Sequence, residues 1–65
     1  MTIVVNGETR ALDAKTLAAA LEALGYDDAS VATALNGEFV PKRKRAETPV
    51  KDGDRLEVLA PRQGG

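Results

Sequence analysis

Thr2-Ile3-Val4-Val5-Asn6-Gly7-Glu8-Thr9-Arg10-Ala11-Leu12 decides how the chain begins, and the fold grows from it. Thr2 to Val5 are all β-branched, which stiffens χ1 and favours a strand. Ile3 and Val5 fall on one face of that strand, with Met1 in phase. Asn6-Gly7 follows. Both central residues of a type I′ turn need positive φ, and these two residue types tolerate it best. Glu8 to Leu12 is then the returning strand, with Arg10 outward and Leu12 inward. The chain is expected to open with a β-hairpin.

Asp13 to Lys15 is a short link, and Thr16 is placed to cap a helix. Leu17, Ala20, Leu21 and Leu24 recur at i, i+3, i+4 and i+7, one face of a helix. Ala18, Ala19 and Ala23 add helix propensity without bulk. Gly25 stands where a left-handed terminator belongs. A helix of about two turns is unstable alone in water, so this leucine stripe needs a sheet to cover it.

Tyr26 to Ala29 reads as a polar loop and Ser30 to Leu35 as a third strand. Asn36-Gly37 repeats the hairpin signal. Glu38 to Val40 is a short fourth strand, stopped by Pro41, which cannot donate to a ladder. Val31, Thr33 and Leu35 share one face of the third strand, leaving Ala32 and Ala34 on the other. Lys42-Arg43-Lys44-Arg45 lies in Pro41 to Thr48, expected to be a solvated loop or a single helical turn. Val50 returns the chain to the core, and Asp52-Gly53 is another turn. Arg55 to Ala60 is the last strand, with Leu56, Val58 and Ala60 on one face and Arg55, Glu57 and Leu59 on the other. The order strand, strand, helix, strand, short strand, strand makes an α+β chain. It predicts a mixed sheet of about five strands with one main helix packed across one face, the β-grasp arrangement. Residues 1–60 form the domain, and 61–65 a flexible tail ending in Gly-Gly.

Composition narrows the function. The 65 residues carry a formal net charge of −1, and 43% are hydrophobic. That length holds one domain, and ordering it costs on the order of 100 kcal/mol, so the core must be compact. The near-neutral charge argues against a general nucleic-acid binder, and no aromatic is interleaved with the basic run for base stacking. There is neither cysteine nor histidine. No thiol can act as nucleophile, metal ligand or sulfur donor, and the commonest general base is missing. Asp52 and Asp54 supply too few ligands for a cation and read as turn residues. No constellation of base, nucleophile or metal ligands marks an enzyme. The start lacks the charged and apolar regions of a signal peptide, and no stretch approaches transmembrane length, so a cytoplasmic location and no membrane partner are expected.

The tail, Ala60-Pro61-Arg62-Gln63-Gly64-Gly65, is thin enough at its last two positions to thread a narrow tunnel. A carboxylate on Gly65 is anionic at neutral pH and a poor electrophile. Using it chemically requires activation, which points to ATP on a separate enzyme. A glycine-ended terminus without any role is the alternative.

The chain resembles the ubiquitin-like sulfur carrier proteins, and most closely the ThiS type of thiamin biosynthesis. The resemblance spans the whole chain. It rests on Ile3-Val4-Val5-Asn6-Gly7, on Ala32-Thr33-Ala34-Leu35-Asn36-Gly37-Glu38-Phe39-Val40-Pro41, on Asp52-Gly53-Asp54 and on Gly64-Gly65. Each is weak alone; in this order and at this length they are specific. The resemblance implies that a ubiquitin-activating-like adenylyltransferase adenylates Gly65 at the expense of its own ATP. A sulfur donor then makes the thiocarboxylate, and thiazole synthase takes the sulfur. Gly64, Gln63 and Arg62 are the tail that partners grip. The carrier itself binds no cofactor and no metal, and is expected to be monomeric when free. The absence of cysteine agrees independently: such a carrier can hold sulfur only at its carboxyl end. The small subunit of molybdopterin synthase shares the fold, the Asp-Gly-Asp turn and the Gly-Gly end. A ubiquitin-like protein modifier and a plain binding module are further alternatives.

Strand alternation also suggests an interface. Phe39 and Leu59, if both point outward beside Ala32 and Ala34, form an apolar patch on the open face of the sheet, where a partner would dock. In the alternative arrangement Phe39 folds under the loop into the core.

Overall fold

A computed structural model describes residues 1–60. The tail residues Arg62, Gln63, Gly64 and Gly65, together with the expected flexibility of 61–65, lie outside the described residues. Five strands, β1 (Thr2–Val5), β2 (Glu8–Ala11), β3 (Ala32–Leu35), β4 (Glu38–Val40) and β5 (Arg55–Leu59), form one mixed sheet in the order β2-β1-β5-β3-β4. One helix, α1 (Leu17–Leu24), covers a single face. This is the β-grasp arrangement expected from the order of elements.

Both hairpins turn as their sequences require. Asn6 and Gly7 take φ of 51° and 84°, and Asn36 and Gly37 take 53° and 87°. Each pair occupies the left-handed region at both central positions, the type I′ signature whose twist matches the flanking strands. The first and last strands then meet in parallel at the centre of the sheet, with Val4 opposite Arg55 and Val5 opposite Leu56. On its other side β5 runs antiparallel to β3, pairing Ala32 with Leu59 and Leu35 with Leu56.

The helix is capped at both ends. Thr16 Oγ1 accepts from the Ala19 N–H at 3.2 Å. At the other end Gly25 has φ 85°. The Gly25 N–H donates to the Glu22 carbonyl and the Tyr26 N–H to the Leu21 carbonyl, at 3.1 and 3.0 Å. That pair of bonds is a Schellman close. Leu17, Ala20 and Leu21 are fully buried against Ile3, Val5, Leu56 and Val58, and Leu24 is half-buried at the edge of the same core. Val40 and Val50 complete it, as their phases predict.

The structure corrects the sequence reading at four places. The third strand begins at Ala32, because Asp27 first caps a 3₁₀ turn over Asp28–Ser30. Its carboxylate accepts from the Ala29 N–H and the Ser30 hydroxyl. The returning strand β2 ends at Ala11, and Leu12 is only half-buried beyond it. The last strand ends at Leu59, so Ala60 is exposed and does not join the inward face with Leu56 and Val58.

The fourth correction is the largest. Of the two readings of Pro41 to Thr48, the helical one holds, and the correction falls on Arg45, which is not solvated. Lys42–Glu47 forms a 3₁₀ helix, and Arg45 is 2% exposed. Its guanidinium donates from Nε to Thr33 Oγ1 (3.2 Å), from Nη1 to both the carbonyl and Oδ1 of Asp28 (2.7 Å each), and from Nη2 to the Val31 carbonyl (2.6 Å). A planar fork of five donors suits four bonds to acceptors spread over two segments. Thr33, itself buried, donates its hydroxyl to the Val40 carbonyl at 2.8 Å. Arg45 thus ties the 3₁₀ helix to β3 and to the turn before it. Only Lys42, Arg43 and Lys44 remain exposed from the basic run.

Candidate functional site

The helix covers one face of the sheet and leaves the other open. On the open face, strand register sets Ala32 beside Leu59, and Ala34 between Phe39 and Glu57. Phe39 is 69% exposed and Leu59 71% exposed. The alternative placement of Phe39 in the core therefore does not occur: Val40 takes the inward position and Phe39 the outward one. The four residues proposed from alternation are brought together. They line a shallow concavity of ≈ 400 Å³, to which the β1–β2 turn adds Asn6 and Gly7. The two alanines keep its floor low, and the two large side chains stand at its walls. Such a surface can accept an apolar side chain of a partner, with Glu57 supplying the adjoining charge.

The strand that leads to the tail is held more firmly than its turn motifs suggested. The turn before β5 is tied to the start of the chain: the Thr2 N–H donates to Asp52 Oδ1, and the Gly53 N–H to the Thr2 carbonyl, at 2.7 Å each. Asp54 is 7% exposed and accepts from the Lys51 N–H at 2.7 Å and from Asn36 Nδ2 at 3.1 Å. The Lys51 N–H above all, and then the Asn36 amide, hold the Asp54 carboxyl below the ordinary carboxylate value. Asn36 also grips the first residue of β5, its Oδ1 accepting from the Arg55 N–H at 2.9 Å. Asn6 does the same near the far end, pairing its side-chain amide with both backbone groups of Val58. Sequence reading treated these asparagines and aspartates as turn formers only. No sequence signal separates the two roles, because the residues that suit a left-handed turn are also those with a short polar arm.

Among the described residues, no group of three His, Cys, Asp or Glu side chains could hold a metal ion. No helix among them is long and apolar enough to cross a membrane. The arrangement provides an open apolar face and a last strand held by side-chain amides near both of its ends. Gly65 lies outside the described residues.

A small β-grasp domain with an open apolar face and a Gly-Gly tail defines a ubiquitin-like carrier class. Comparison with known proteins gives the family. The ThiS family model matches residues 3–65. A sulfur carrier protein ThiS from Thermus thermophilus is 43% identical over 61 residues, covering 94% of this chain and 95% of that one. A thiazole synthase from Paramagnetospirillum magneticum is 46% identical over 66 residues, which cover all of this chain and 20% of that protein. The chain therefore spans about a fifth of the length of that relative. The crystal structure of a thiamine biosynthesis protein (ThiS) from Geobacter metallireducens superposes with a TM-score of 0.81 at 35% identity, covering both chains completely. A solution structure from the same organism gives the same score and covers 88% of that chain. The chain belongs to the ThiS family.

Proposed function

We propose that this chain is a sulfur carrier of thiamin biosynthesis, loaded as a thiocarboxylate on Gly65, and not an enzyme. The observation that carries the reading is the ThiS family match, which reaches Gly65 itself. The absence of cysteine supports it, since no side chain could carry the sulfur instead. The thiamin and thiazole names of the relatives favour thiazole formation over the molybdopterin alternative.

The chemistry follows from the weakness of a carboxylate as an electrophile. A Gly65 carboxylate oxygen attacks the α-phosphorus of ATP on an activating enzyme, and pyrophosphate leaves. A sulfur nucleophile from a donor then attacks the acyl carbon. With sulfur delivered at the level of hydrosulfide, the C–S bond forms, the acyl C–O bond breaks, AMP leaves with that oxygen, and loss of the thiol proton gives the thiocarboxylate. The thiocarboxylate is a soft nucleophile that a second enzyme, thiazole synthase, can draw on. Gly64 and Gly65 lack a Cβ, so bare backbone can enter both active sites, with Arg62 and Gln63 behind as the grip. The face built on Phe39, Leu59, Ala32 and Ala34 docks on those enzymes. That a thiazole synthase shares similarity with this chain over a fifth of its own length supports it as one partner.

Intact mass after incubation with a ubiquitin-activating-like adenylyltransferase, ATP and a sulfur donor tests the reading. The expected result is a mass gain equal to replacing one oxygen by sulfur, lost on incubation with thiazole synthase and its substrates. Gly64→Ala or Gly65→Ala should reduce the gain sharply. One residue added after Gly65 should abolish it, because the reacting carboxyl moves by ~3.5 Å. An extended variant, not trimmed back, that still gains sulfur would overturn the assignment to Gly65.

A further inference from the structure

We propose that Asn6 is a positioning residue for the transfer chemistry. Its side-chain amide fixes the end of β5 and so sets the direction in which the chain leaves the sheet toward Gly65. The inference rests on the sulfur-carrier reading above.

Parallel pairing with β5 runs through Val4 and Val5, and the Asn6 N–H still reaches the Leu56 carbonyl at 2.9 Å. There the backbone turns away into the left-handed region, with φ 51° at Asn6. The next rung of the ladder cannot come from the main chain. The Asn6 side chain supplies it: Oδ1 accepts from the Val58 N–H at 2.8 Å, and Nδ2 donates to the Val58 carbonyl at 3.1 Å. A primary amide carries one acceptor and two donors in a plane, as a peptide group carries one of each, so it can stand in for a strand residue. Val58 is held from the β1 side by Asn6, while its neighbour Leu59 pairs with Ala32 on the β3 side. Among the described residues, Asn6 makes the last hydrogen bonds to β5 from the β1 side.

The molecule contains its own control. Asn36 occupies the same position in the second Asn-Gly turn, with φ 53°, and also gives its amide to β5. It grips Arg55, the first residue of the strand, whereas Asn6 grips Val58, next to the last. If the asparagines served only to hold the sheet together, losing Asn36, which also donates to Asp54, would act at least as strongly as losing Asn6. If Asn6 aims the tail, its loss acts on activation and that of Asn36 does not. Seven residues follow Val58 as far as Gly65, a span of up to ~25 Å when extended. Loosening at residues 59 and 60 widens the set of directions from which that span starts. The activating enzyme must then select the competent direction from a wider set, which weakens apparent binding while leaving the bound chemistry unchanged.

The test compares Asn6→Gly with Asn36→Gly. Glycine accepts positive φ at both turns, so both variants keep the fold. Two quantities are measured: backbone amide order parameters of Leu59 and Ala60 in the free protein, and KM and kcat of the carrier in ATP–pyrophosphate exchange with the activating enzyme. Asn6→Gly is expected to lower the order of Leu59 and Ala60 and to raise KM about five- to tenfold at nearly constant kcat. Asn36→Gly should leave both within twofold, a margin set by ordinary non-additive scatter. Equal behaviour of the two variants would overturn the inference. So would a raised KM with unchanged order at Leu59 and Ala60, which would make Asn6 a mere contact. Should Asn6→Gly unfold, Asn6→Asp keeps the acceptor for the Val58 N–H, loses the donor, and must shift KM in the same direction. A wild-type chain inert to activation would instead remove the sulfur-carrier reading and this inference with it.

Discussion

Replacing Arg45 by methionine should destabilise the domain by about 2–4 kcal/mol, although the residue lies in what looks like a surface cluster of cations. The magnitude follows from where each bond goes. Of its four bonds, two end on Asp28, whose side chain is 47% exposed. The one to Oδ1 is a half-open ion pair that contributes little by itself, and the one to the Asp28 backbone carbonyl is part-buried and left out of the sum. The other two end on the Thr33 hydroxyl and the Val31 carbonyl. Thr33 is 2% exposed and keeps its own donor bond to Val40, so it tolerates the loss better than Val31 does. Each interior charged hydrogen bond is worth ~1–2 kcal/mol after the partner relaxes, and methionine refills most of the volume. The whole domain holds only ~3–10 kcal/mol of stability at this size. The substitution should therefore lower Tm by roughly 8–30 °C, measured by circular dichroism, with a parallel fall in urea midpoint. Lysine should rescue little, since it offers a point charge where a planar fork is needed. A variant within ~0.5 kcal/mol of wild type, the margin of an ordinary surface change, would refute the buried clamp.

Leu21→Ala should cost ~2–5 kcal/mol in a chemical denaturation series, because Leu21 is fully buried between helix and sheet; an unchanged midpoint would contradict the packing. Phe39→Ala should leave Tm within about 2 °C of wild type, since the ring is 69% exposed, yet raise KM for adenylation of the carrier; unchanged kinetics would take Phe39 out of the docking face. Asp54 predicts an acid limb: its folded pKa lies below the ordinary value of 3.8, so its contribution is complete above that value and is lost as pH falls through the lower folded one. Tm should accordingly fall with decreasing pH below ~4 in wild type and less steeply in Asp54→Asn, and parallel curves would exclude the Asp54 bonds as its source.

Much of this molecule is legible in its sequence, for reasons that are local. A β-branched run, an Asn-Gly pair and a leucine stripe at helical spacing each act within a few residues, and the hairpins, the helix limits and both caps follow from them. The outward placement of Phe39 follows equally from simple alternation with Val40. Arg45 shows where the method stops. Four consecutive cations look alike, and what distinguishes the last is Thr33, Val31 and Asp28, brought beneath it by the sheet and the preceding turn. Asn6 and Asn36 show a different limit. Their turn role already accounts for their presence, so nothing in the pattern asks for a second one, and the partners lie 52 and 19 residues away. The ends of β2 and β5 are of the same kind: alternation places Leu12 and Ala60 inward, but Leu12, still bonded to Met1 at 2.9 and 3.0 Å, is only half-buried, and β5 stops before Ala60.

The open face is where size, fold and use meet. A chain of 65 residues with one eight-residue helix can cover one side of a five-stranded sheet and no more. The other side must face solvent or a partner. A fold without partners would be expected to line that side with polar residues, as the exposed β2 edge does with Glu8, Thr9 and Arg10. Instead the sheet places Phe39 and Leu59 there, about 70% exposed, over two alanines that leave room beside them. Each forgoes ~1.5–3 kcal/mol of burial that an inward position would have contributed, in a domain whose total stability is of that order. Stability does not explain this choice; the docking proposed above would, by recovering the same burial in a complex. The strand that carries Leu59 leads on toward the tail, so on the proposed reading docking at the face and delivery of Gly65 would share β5. Asn6 bonds Val58 from the β1 side and lines the same concavity, so a partner seated on Leu59 would meet the root that Asn6 holds. The two asparagine variants release opposite ends of β5, and Asn36→Gly frees Asp54 as well, so an effect confined to Asn6→Gly would separate aiming from sheet stability.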